Sequence, residues 1–164
     1  MKKLSTIFLT LTVFFTACSS GSGQNKAPEI ETQLIDGTPF KLSDLRGKYV
    51  LLDFWGSWCG PCIRDFPSLV ALHDKYGDDV VFVSVALEKN DERWKEVSEK
   101  AGFSWKHQIV EDAKVVLASP IARDYGVLDI PSKFIITPDG KLISGMDFEQ
   151  MDEYFEATLG STQN

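Results

Sequence analysis

The chain has 164 residues, of which 43% are hydrophobic and 25% are charged, and its formal net charge is −7. This length is enough for one folded domain and short for two, and the composition excludes a chain that is disordered throughout. The acidic balance also argues against nucleic-acid binding, which usually needs a basic face.

The first segment in chain order has the pattern of a secretory signal. A short cationic start precedes an apolar stretch that ends at Ala17 and is too short and too polar for a good membrane span. The residues up to Cys18 resemble a bacterial lipobox, which implies cleavage before Cys18 and lipid attachment to its sulfur; an ordinary signal peptide is the alternative. A flexible Ser/Gly tether follows. The predicted organisation is a signal peptide over 1–17, a lipidated tether over 18–27 and a folded domain over 28–164.

The remaining chain alternates strand-like and helix-like segments, which predicts an α/β sandwich with a mixed central sheet. Glycines and a Ser-Pro pair mark the helix ends, and one apolar, β-branched run is typical of a strand buried on both faces. The predicted elements are a hairpin (Glu29–Leu42), a strand (Tyr49–Trp55), a helix interrupted at Pro67 (Pro61–Tyr76), a strand (Val80–Leu87), a helix (Asp91–Ala101), a short helix (Pro120–Gly126), a hairpin (Lys133–Ser144) and a closing helix (Asp147–Leu159).

Two cysteines two residues apart, Cys59 and Cys62, come just after the first central strand and open the following helix. A helix N-terminus carries partial positive charge and unpaired N–H groups, which favour a thiolate over a thiol. Because the thiolate is the form that attacks a disulfide, we predict that Cys59 is the nucleophile and that Cys62 closes the ring that releases the product. The alternative is a metal site, but His73 and His107 lack the usual paired spacing of zinc ligands, and no metal is predicted.

The residues around these cysteines resemble those of a known family. The run Leu51–Trp55 followed by Trp58-Cys59-Gly60-Pro61-Cys62 is similar to thioredoxin. Tyr125-Gly126-Val127 followed by Ile130-Pro131 is similar to the stretch that ends in the cis-proline of that fold. The early hairpin and the phrase Leu42-Ser43-Asp44-Leu45-Arg46-Gly47-Lys48 resemble the membrane-anchored thioredoxin-like proteins of the TlpA group. The resemblance implies a thioredoxin-like sandwich with an added N-terminal hairpin and a central insertion.

The resemblance implies roles for four residues at the reaction centre. Cys59 corresponds to the attacking cysteine, Cys62 to the resolving cysteine, and Asp53 to the buried acid that relays a proton to Cys62. Asp65 stands where relatives in the TlpA group often carry the longer glutamate. A surface carboxylate is the alternative interpretation of both acids. Thioredoxins place a lysine near the buried acid on the neighbouring strand, and that strand has none here, so we expect Asp53 to lack a cationic neighbour and its pKa to rise by desolvation.

On the substrate side, the resemblance implies that Pro131 is a cis-proline and that the Ile130 carbonyl pairs with a bound substrate strand. Trp58 is expected to shield the dithiol and to contribute to the partner surface. Lys133 lies near this loop, although an exposed lysine without a role is the simpler interpretation. The segment Phe103–Ala118 is the central insertion, which is expected either to select partners or to cap the sheet.

The predicted function is extracytoplasmic thiol-disulfide exchange that reduces protein disulfides, because Gly60-Pro61 between the cysteines match reducing thioredoxins. The resemblance implies no metal or organic cofactor, since the redox-active Cys59–Cys62 disulfide carries the electrons. Expected partners are disulfide-containing proteins, with apocytochrome c as a family-level candidate, and a membrane thiol donor. The protein is expected to be lipid-anchored and to face the periplasm. The alternatives are a thiol peroxidase of the peroxiredoxin-like superfamily and a non-catalytic lipoprotein that binds a metal or a polypeptide.

Overall fold

The computed structural model describes residues 26–88, 92–113 and 115–160, so the predicted signal peptide, Cys18 and most of the tether lie outside the described residues. Within these ranges the strands are β1 (Glu31–Gln33), β2 (Pro39–Lys41), β3 (Tyr49–Trp55), β4 (Val80–Glu88), β5 (His107–Asp112), β6 (Ser132–Ile136) and β7 (Leu142–Ser144). The α-helices are α1 (Gly60–Tyr76), α2 (Arg93–Ala101), α3 (Pro120–Asp124) and α4 (Phe148–Leu159). None of the helices in the described part of the chain combines the length and apolar character needed to cross a membrane.

The strands form two sheets, one of which is the centre of the domain. β1 and β2 pair as a separate antiparallel hairpin, while the main sheet has the order β5-β4-β3-β6-β7. β3, β4 and β5 run parallel, whereas β6 and β7 are antiparallel to their neighbours. The predicted α/β sandwich with a mixed central sheet is therefore confirmed, together with both hairpins and the limits of β3.

The main sheet separates two apolar cores, and β3 contributes to both because successive strand residues face opposite sides. Val50, Leu52 and Phe54 join the core beneath the N-terminal hairpin and α3. Leu51 and Trp55 join the opposite core, which also contains the buried face of α1 and residues of α4. Asp53 lies between Leu51 and Trp55 along β3, two positions from each, so its side chain points to the same α1 side of the sheet.

Helix α1 runs without a break from Gly60 to Tyr76 and contains Pro67. The predicted interruption at Pro67 is therefore wrong. Pro67 lacks an N–H, so it cannot pair with the carbonyl of Ile63 one turn earlier. Both residues lie on the exposed side of the helix, where water can serve that carbonyl, while the opposite side packs into the core.

The predicted insertion, Phe103–Ala118, extends the sheet instead of forming a loop. Its central part is β5, which pairs in parallel with β4 and closes one edge of the sheet. Trp105 is buried, and its Nε1–H donates a hydrogen bond of 3.1 Å to Ser84 Oγ on β4. The segment is therefore built into the sheet as its edge strand. Helix α2 begins at Arg93, and Asp91, its predicted start, lies outside the described residues.

Candidate active site

The two cysteines lie where the end of β3 turns into α1. The turn Gly56–Cys59 is closed by a 2.9 Å hydrogen bond from the Cys59 N–H to the Gly56 carbonyl. Cys59 is the N-cap of α1, and Cys62 lies in its first turn. The two are joined by a disulfide with Cα atoms 5.3 Å apart. The sequence spacing therefore places a redox-active pair at the helix N-terminus, as predicted.

The surroundings of Cys59 suit a negatively charged sulfur. The Cys62 N–H donates to Cys59 Sγ at 3.1 Å, which is the capping interaction of the helix. Such donors, together with the positive end of the helix dipole, stabilise a thiolate once the disulfide is reduced. In the disulfide form the sulfurs are well covered, since Cys59 is 4% exposed and Cys62 is 1% exposed. Cys59 is the outer of the two, but it is less accessible than its position in the sequence suggests.

The loop before β6 faces the disulfide from the other side. The Ile130–Pro131 peptide bond is cis, as the resemblance implies. The Ile130 carbonyl oxygen lies 3.6 Å from Cys59 Sγ. Trp58 lies on the same surface and is 37% exposed, and its Nε1–H donates a 2.8 Å hydrogen bond to the Leu87 carbonyl. The structure therefore brings Trp58, Ile130 and Pro131 around Cys59.

Asp53 and Asp65, the two predicted acids, share one lysine. Asp53 is buried on β3, and its Oδ1 lies 4.0 Å from Lys133 Nζ. The same Nζ donates to Asp65 Oδ2 on α1 at 2.7 Å. The Lys133 side chain is only 10% exposed, and its ammonium lies 4.7 Å from the centre of the Phe148 ring. The structure thus joins both predicted acids into one charged cluster.

Burial dominates the electrostatics of Asp53. Removal from water raises the pKa of Asp53 from 3.8 to about 7, the positive charge of Lys133 opposes this rise, and the negative charge of Asp65 adds to it. Asp53 Oδ2 has no hydrogen-bond partner among the described residues. A carboxyl group with a pKa near neutrality can both take up and release a proton at physiological pH.

Two expectations about this cluster were wrong. Asp53 does have a cationic neighbour, because β6 supplies the lysine that β4 lacks. Lys133 is also not an exposed residue without contacts. Its position follows from strand pairing: Lys133 is the direct antiparallel partner of Asp53, and the alternation along β6 points it to the same side of the sheet. The charged residue two positions after Pro131, at the start of an apolar strand, is the signal that could have identified it.

Two surface depressions are lined in part by residues of α1. An open cavity of about 300 Å³ is lined by Asp65, Pro131, Lys133, Met146, Asp147 and Phe148. An apolar groove of about 320 Å³ lies between α1 and α2 and is lined by Ile63, Phe66, Pro67, Val97, Lys100 and Ala101. Ile63, next to Cys62 in the sequence, is an exposed apolar residue, as is Trp58. These features give the surface around the cysteines both a polar side and an apolar side.

The described residues contain no group of three or more His, Cys, Asp or Glu side chains arranged to hold a metal ion. His107 lies on β5, where its ring packs 5.7 Å from that of Phe40. His73 lies on α1 with its ring 5.0 Å from that of Phe82. Both histidines therefore have packing roles.

Residues 24–144 of this chain match the sequence pattern of the AhpC/TSA family. The chain belongs to the AhpC/TSA family. It is 32% identical to the thiol-disulfide oxidoreductase ResA of Geobacillus thermodenitrificans over 152 residues, which is 88% of this chain and 82% of that protein. It is 31% identical to the protein of the same name from Bacillus thuringiensis subsp. konkukian over 134 residues, which is 82% of this chain and 75% of that one.

Two solved structures of thiol-disulfide exchange proteins are also similar to this AhpC/TSA-family chain. The crystal structure of a putative thiol:disulfide interchange protein DsbE from Chlorobium tepidum matches with a TM-score of 0.70 and 28% identity, covering 84% of this chain and 97% of that one. The solution structure of a putative thiol-disulfide oxidoreductase from Bacteroides vulgatus matches with a TM-score of 0.67 and 30% identity, covering 87% and 94%. The predicted thioredoxin-like fold and the predicted enzyme class, a thiol-disulfide oxidoreductase, are confirmed.

Proposed function

We propose that this oxidoreductase works as a reductant of disulfides in other proteins. The observation that carries the proposal is the Cys59–Cys62 disulfide at the N-terminus of α1, with Cys59 as N-cap facing the Ile130 carbonyl. This arrangement provides a stabilised thiolate, a second thiol within reach, and a backbone acceptor beside the attacking sulfur. Its relatives named thiol-disulfide oxidoreductase ResA support the same chemistry.

The reaction starts from the reduced dithiol. The Cys59 thiolate attacks one sulfur of the substrate disulfide, which forms a mixed disulfide and releases the other substrate sulfur as a thiolate that takes up a proton. Cys62 then loses its proton and attacks Cys59 Sγ. This second step breaks the mixed disulfide, forms the Cys59–Cys62 bond and releases the second substrate thiol. The substrate gains two electrons from the enzyme; one of the two protons it gains comes from Cys62, and the other comes from solvent, because Cys59 starts as a thiolate.

In this proposal Asp53 is the proton acceptor for Cys62. Cys62 and Asp53 both face the core on the α1 side of the sheet, and the pKa of Asp53 near 7 suits a group that accepts a proton and then passes it on. Asp65 acts through Lys133, which it holds by a 2.7 Å hydrogen bond 4.0 Å from Asp53. The two acids therefore have different tasks: Asp53 takes the proton, and Asp65 positions the cation.

The substrate would bind as an extended strand across the loop at Pro131. The Ile130 carbonyl oxygen would accept a hydrogen bond from a backbone N–H of the substrate, next to the mixed disulfide. Trp58 and Ile63, which flank the cysteine pair in the sequence, provide exposed apolar contact area. A surface that binds its substrate mainly through backbone hydrogen bonds and apolar contacts suits an unfolded or loosely folded polypeptide.

The two residues between the cysteines indicate the direction of electron flow. Gly60-Pro61 between the cysteines resemble thioredoxin, whose potential is about −270 mV, against about −120 mV for the strong oxidant DsbA. A reductant outside the cytoplasm needs an electron donor, for which we propose a membrane thiol protein.

We further propose that residues 1–17 are a signal peptide, that residues 18–27 form a tether lipidated at Cys18, and that the domain faces the periplasm. Apocytochrome c is the candidate substrate.

A trapping experiment with matched variants tests this function. A Cys62→Ser variant can form the mixed disulfide but cannot resolve it, so cells carrying it should accumulate disulfide-linked partners. A Cys59→Ser variant lacks the attacking sulfur and should trap none. Purified protein should also reduce insulin disulfides when a dithiol donor is supplied. Equal trapping by both variants, or no insulin reduction, would contradict the proposal, and unchanged cellular function without either thiol would support the binding-lipoprotein alternative.

The peroxidase alternative makes a different prediction at the same residue. Peroxidase sites of the commonest kind place a threonine a few residues before the cysteine, and the nearest hydroxyl residue here is Ser57. The Ser57 hydroxyl donates to Glu88 at 2.8 Å, so it is already engaged away from the cysteine. Consumption of hydrogen peroxide by wild-type protein and not by Cys59→Ser would favour this alternative; no consumption beyond that of free thiols rules it out.

A further inference from the structure

Glu88 is a buried acid that the proposed reaction does not use. It is the last residue of β4 and is 2% exposed. Both of its carboxylate oxygens are occupied by one residue of the active-site turn: Oε1 accepts from the Ser57 N–H at 2.7 Å, and Oε2 accepts from the Ser57 hydroxyl at 2.8 Å. A buried carboxylate is costly unless strong donors surround it, so this pair of bonds is a specific arrangement.

The rest of the turn also lies directly against the end of β4. The Trp58 indole N–H donates to the Leu87 carbonyl at 2.8 Å. Gly56 approaches so closely that a Cβ there would lie 2.9 Å from the same Leu87 oxygen. The Cys59 N–H closes the turn on the Gly56 carbonyl at 2.9 Å. Every residue between β3 and Cys59 is therefore held either by β4 or by the turn itself.

We propose that Glu88 is a positioning residue of the redox site, which clamps the Gly56–Cys59 turn on β4 and thereby holds Cys59 as the N-cap of α1. The inference rests on the proposed function. The chain of contacts is short: Glu88 fixes Ser57, the turn fixes Cys59, and the Cys62 N–H then reaches Cys59 Sγ at 3.1 Å. If the clamp is lost, the sulfur moves away from this donor and the thiolate of the reduced protein loses stabilisation.

The negative charge of Glu88 itself acts in the opposite sense. A carboxylate near a thiolate repels it, so removal of the charge alone would lower the pKa of the Cys59 thiol and increase its reactivity. Positioning and charge therefore predict changes of opposite sign. Glu88→Ala removes both the clamp and the charge, whereas Glu88→Gln removes the charge and keeps one acceptor for Ser57. Ser57→Ala removes only the hydroxyl bond.

The test measures the thiol directly and needs no physiological substrate. The reduced full-length variants are alkylated with iodoacetamide over a range of pH, in a Cys62→Ser background so that only Cys59 reports on the redox site; Cys18 is replaced by serine in every variant. For Glu88→Ala we expect the pKa of Cys59, obtained from the pH dependence of alkylation, to rise by about one unit, so alkylation slows about tenfold at pH values below both pKa values. Ser57→Ala, which keeps the charge and removes one bond of the clamp, should show a smaller loss of the same sign. Glu88→Gln should react faster than Glu88→Ala, because both lack the charge and only Gln keeps an acceptor for Ser57. Ser98→Ala, which removes a buried serine hydroxyl on α2, is the matched control and should equal the parent protein.

The outcomes separate this inference from the proposed function. Unchanged alkylation and an unchanged Cys59 pKa in folded Glu88→Ala, or alkylation in Glu88→Gln that is no faster than in folded Glu88→Ala, would overturn the positioning role. If Glu88→Ala does not fold, Ser57→Ala decides alone, and parent-like or faster alkylation in that variant would overturn it. Failure of the proposed function would appear elsewhere, as wild-type protein that does not reduce insulin.

Discussion

Lys133 lies directly across from Asp53 in the antiparallel pairing of β3 and β6, with its Nζ 4.0 Å from Asp53 Oδ1. The cation stands between two carboxylates, because Asp65 holds the same Nζ at 2.7 Å. The pKa of Asp53 therefore depends on both neighbouring charges, since Lys133 lowers it and Asp65 raises it. Removal of either charge should shift the pKa of Asp53 in a known direction.

Replacement of Lys133 by methionine should raise the pKa of Asp53 above its value of about 7, since the positive charge that opposes the effect of burial is gone. An opposite charge at this distance typically shifts a carboxyl pKa by about 1–3 units. Carbon NMR titration of the Asp53 carboxyl measures the change, and Lys133→Arg is the control that keeps the charge. An Asp53 pKa that is the same in Lys133→Met and wild type would show that the lysine does not act on it.

Replacement of Asp65 by asparagine should move the pKa of Asp53 in the other direction. Asp65 is a like charge that raises the pKa of Asp53, and its loss also leaves Lys133 with a single acidic partner. The same NMR titration should therefore give a value below about 7. Surface Asp74→Asn, on the far end of α1, provides a charge-matched control. A rise in the pKa, or no change, would contradict the shared-lysine arrangement.

Replacement of Asp53 by asparagine should stabilise the protein at alkaline pH. The folded pKa of about 7 exceeds the ordinary value of 3.8, so between these pH values the folded state holds a proton that the unfolded chain has released. The free energy of unfolding of wild type therefore falls as pH rises and levels off above the folded pKa. Because one pKa unit corresponds to about 1.4 kcal/mol, the variant should gain up to a few kcal/mol at pH above about 8.

Urea denaturation of oxidised wild-type and Asp53→Asn protein, at about pH 8 and about pH 5, checks this expectation. The advantage of the variant should be largest at the higher pH and shrink as pH falls toward the unfolded pKa. A variant that is less stable at the higher pH, or a difference that does not depend on pH, would mean that Asp53 is well solvated or firmly paired in the folded state.

Replacement of Gly56 by alanine should destabilise the turn that carries Cys59. The added methyl group would lie 2.9 Å from both the Leu87 oxygen and Trp58 Nε1, and the first of these is backbone that cannot easily move. Overpacking of this kind typically costs about 1–3 kcal/mol. Gly160→Ala, at a position with open space and a helical backbone, is the control. Equal midpoints for Gly56→Ala and wild type in thermal unfolding would show that the turn moves freely away from β4.

The sequence predicts the local features of this site and misses those that depend on strand register. The strand Tyr49–Trp55 and the helix that begins at the cysteines follow from an apolar run, a capping position and a first-turn proline, all within a few residues. The partner of Asp53 does not, because Lys133 lies 80 positions away along the chain and only the β3–β6 pairing brings it close. Glu88 was missed for the same reason: its contact with Ser57 spans 31 positions.

The edge strand β5 shows a second limit. His107–Asp112 carries polar residues at several positions because an edge strand is buried only in part, so its pattern lacks the continuous apolar run that identifies β3 and β4. Trp105 just before it is buried, and the residue that receives its hydrogen bond, Ser84, interrupts the apolar run Val80–Leu87 of β4. A single polar residue in such a strand is a useful sign of a distant partner.

The most direct test is the ultraviolet titration of the Cys59 thiolate in reduced Cys62→Ser protein, with the Cys59→Ser,Cys62→Ser double variant as blank. We predict that this thiol ionises well below the ordinary cysteine pKa of about 8.5. A thiol that keeps its proton up to or beyond that value would contradict it, because the sulfur would then gain nothing from its place at the start of α1.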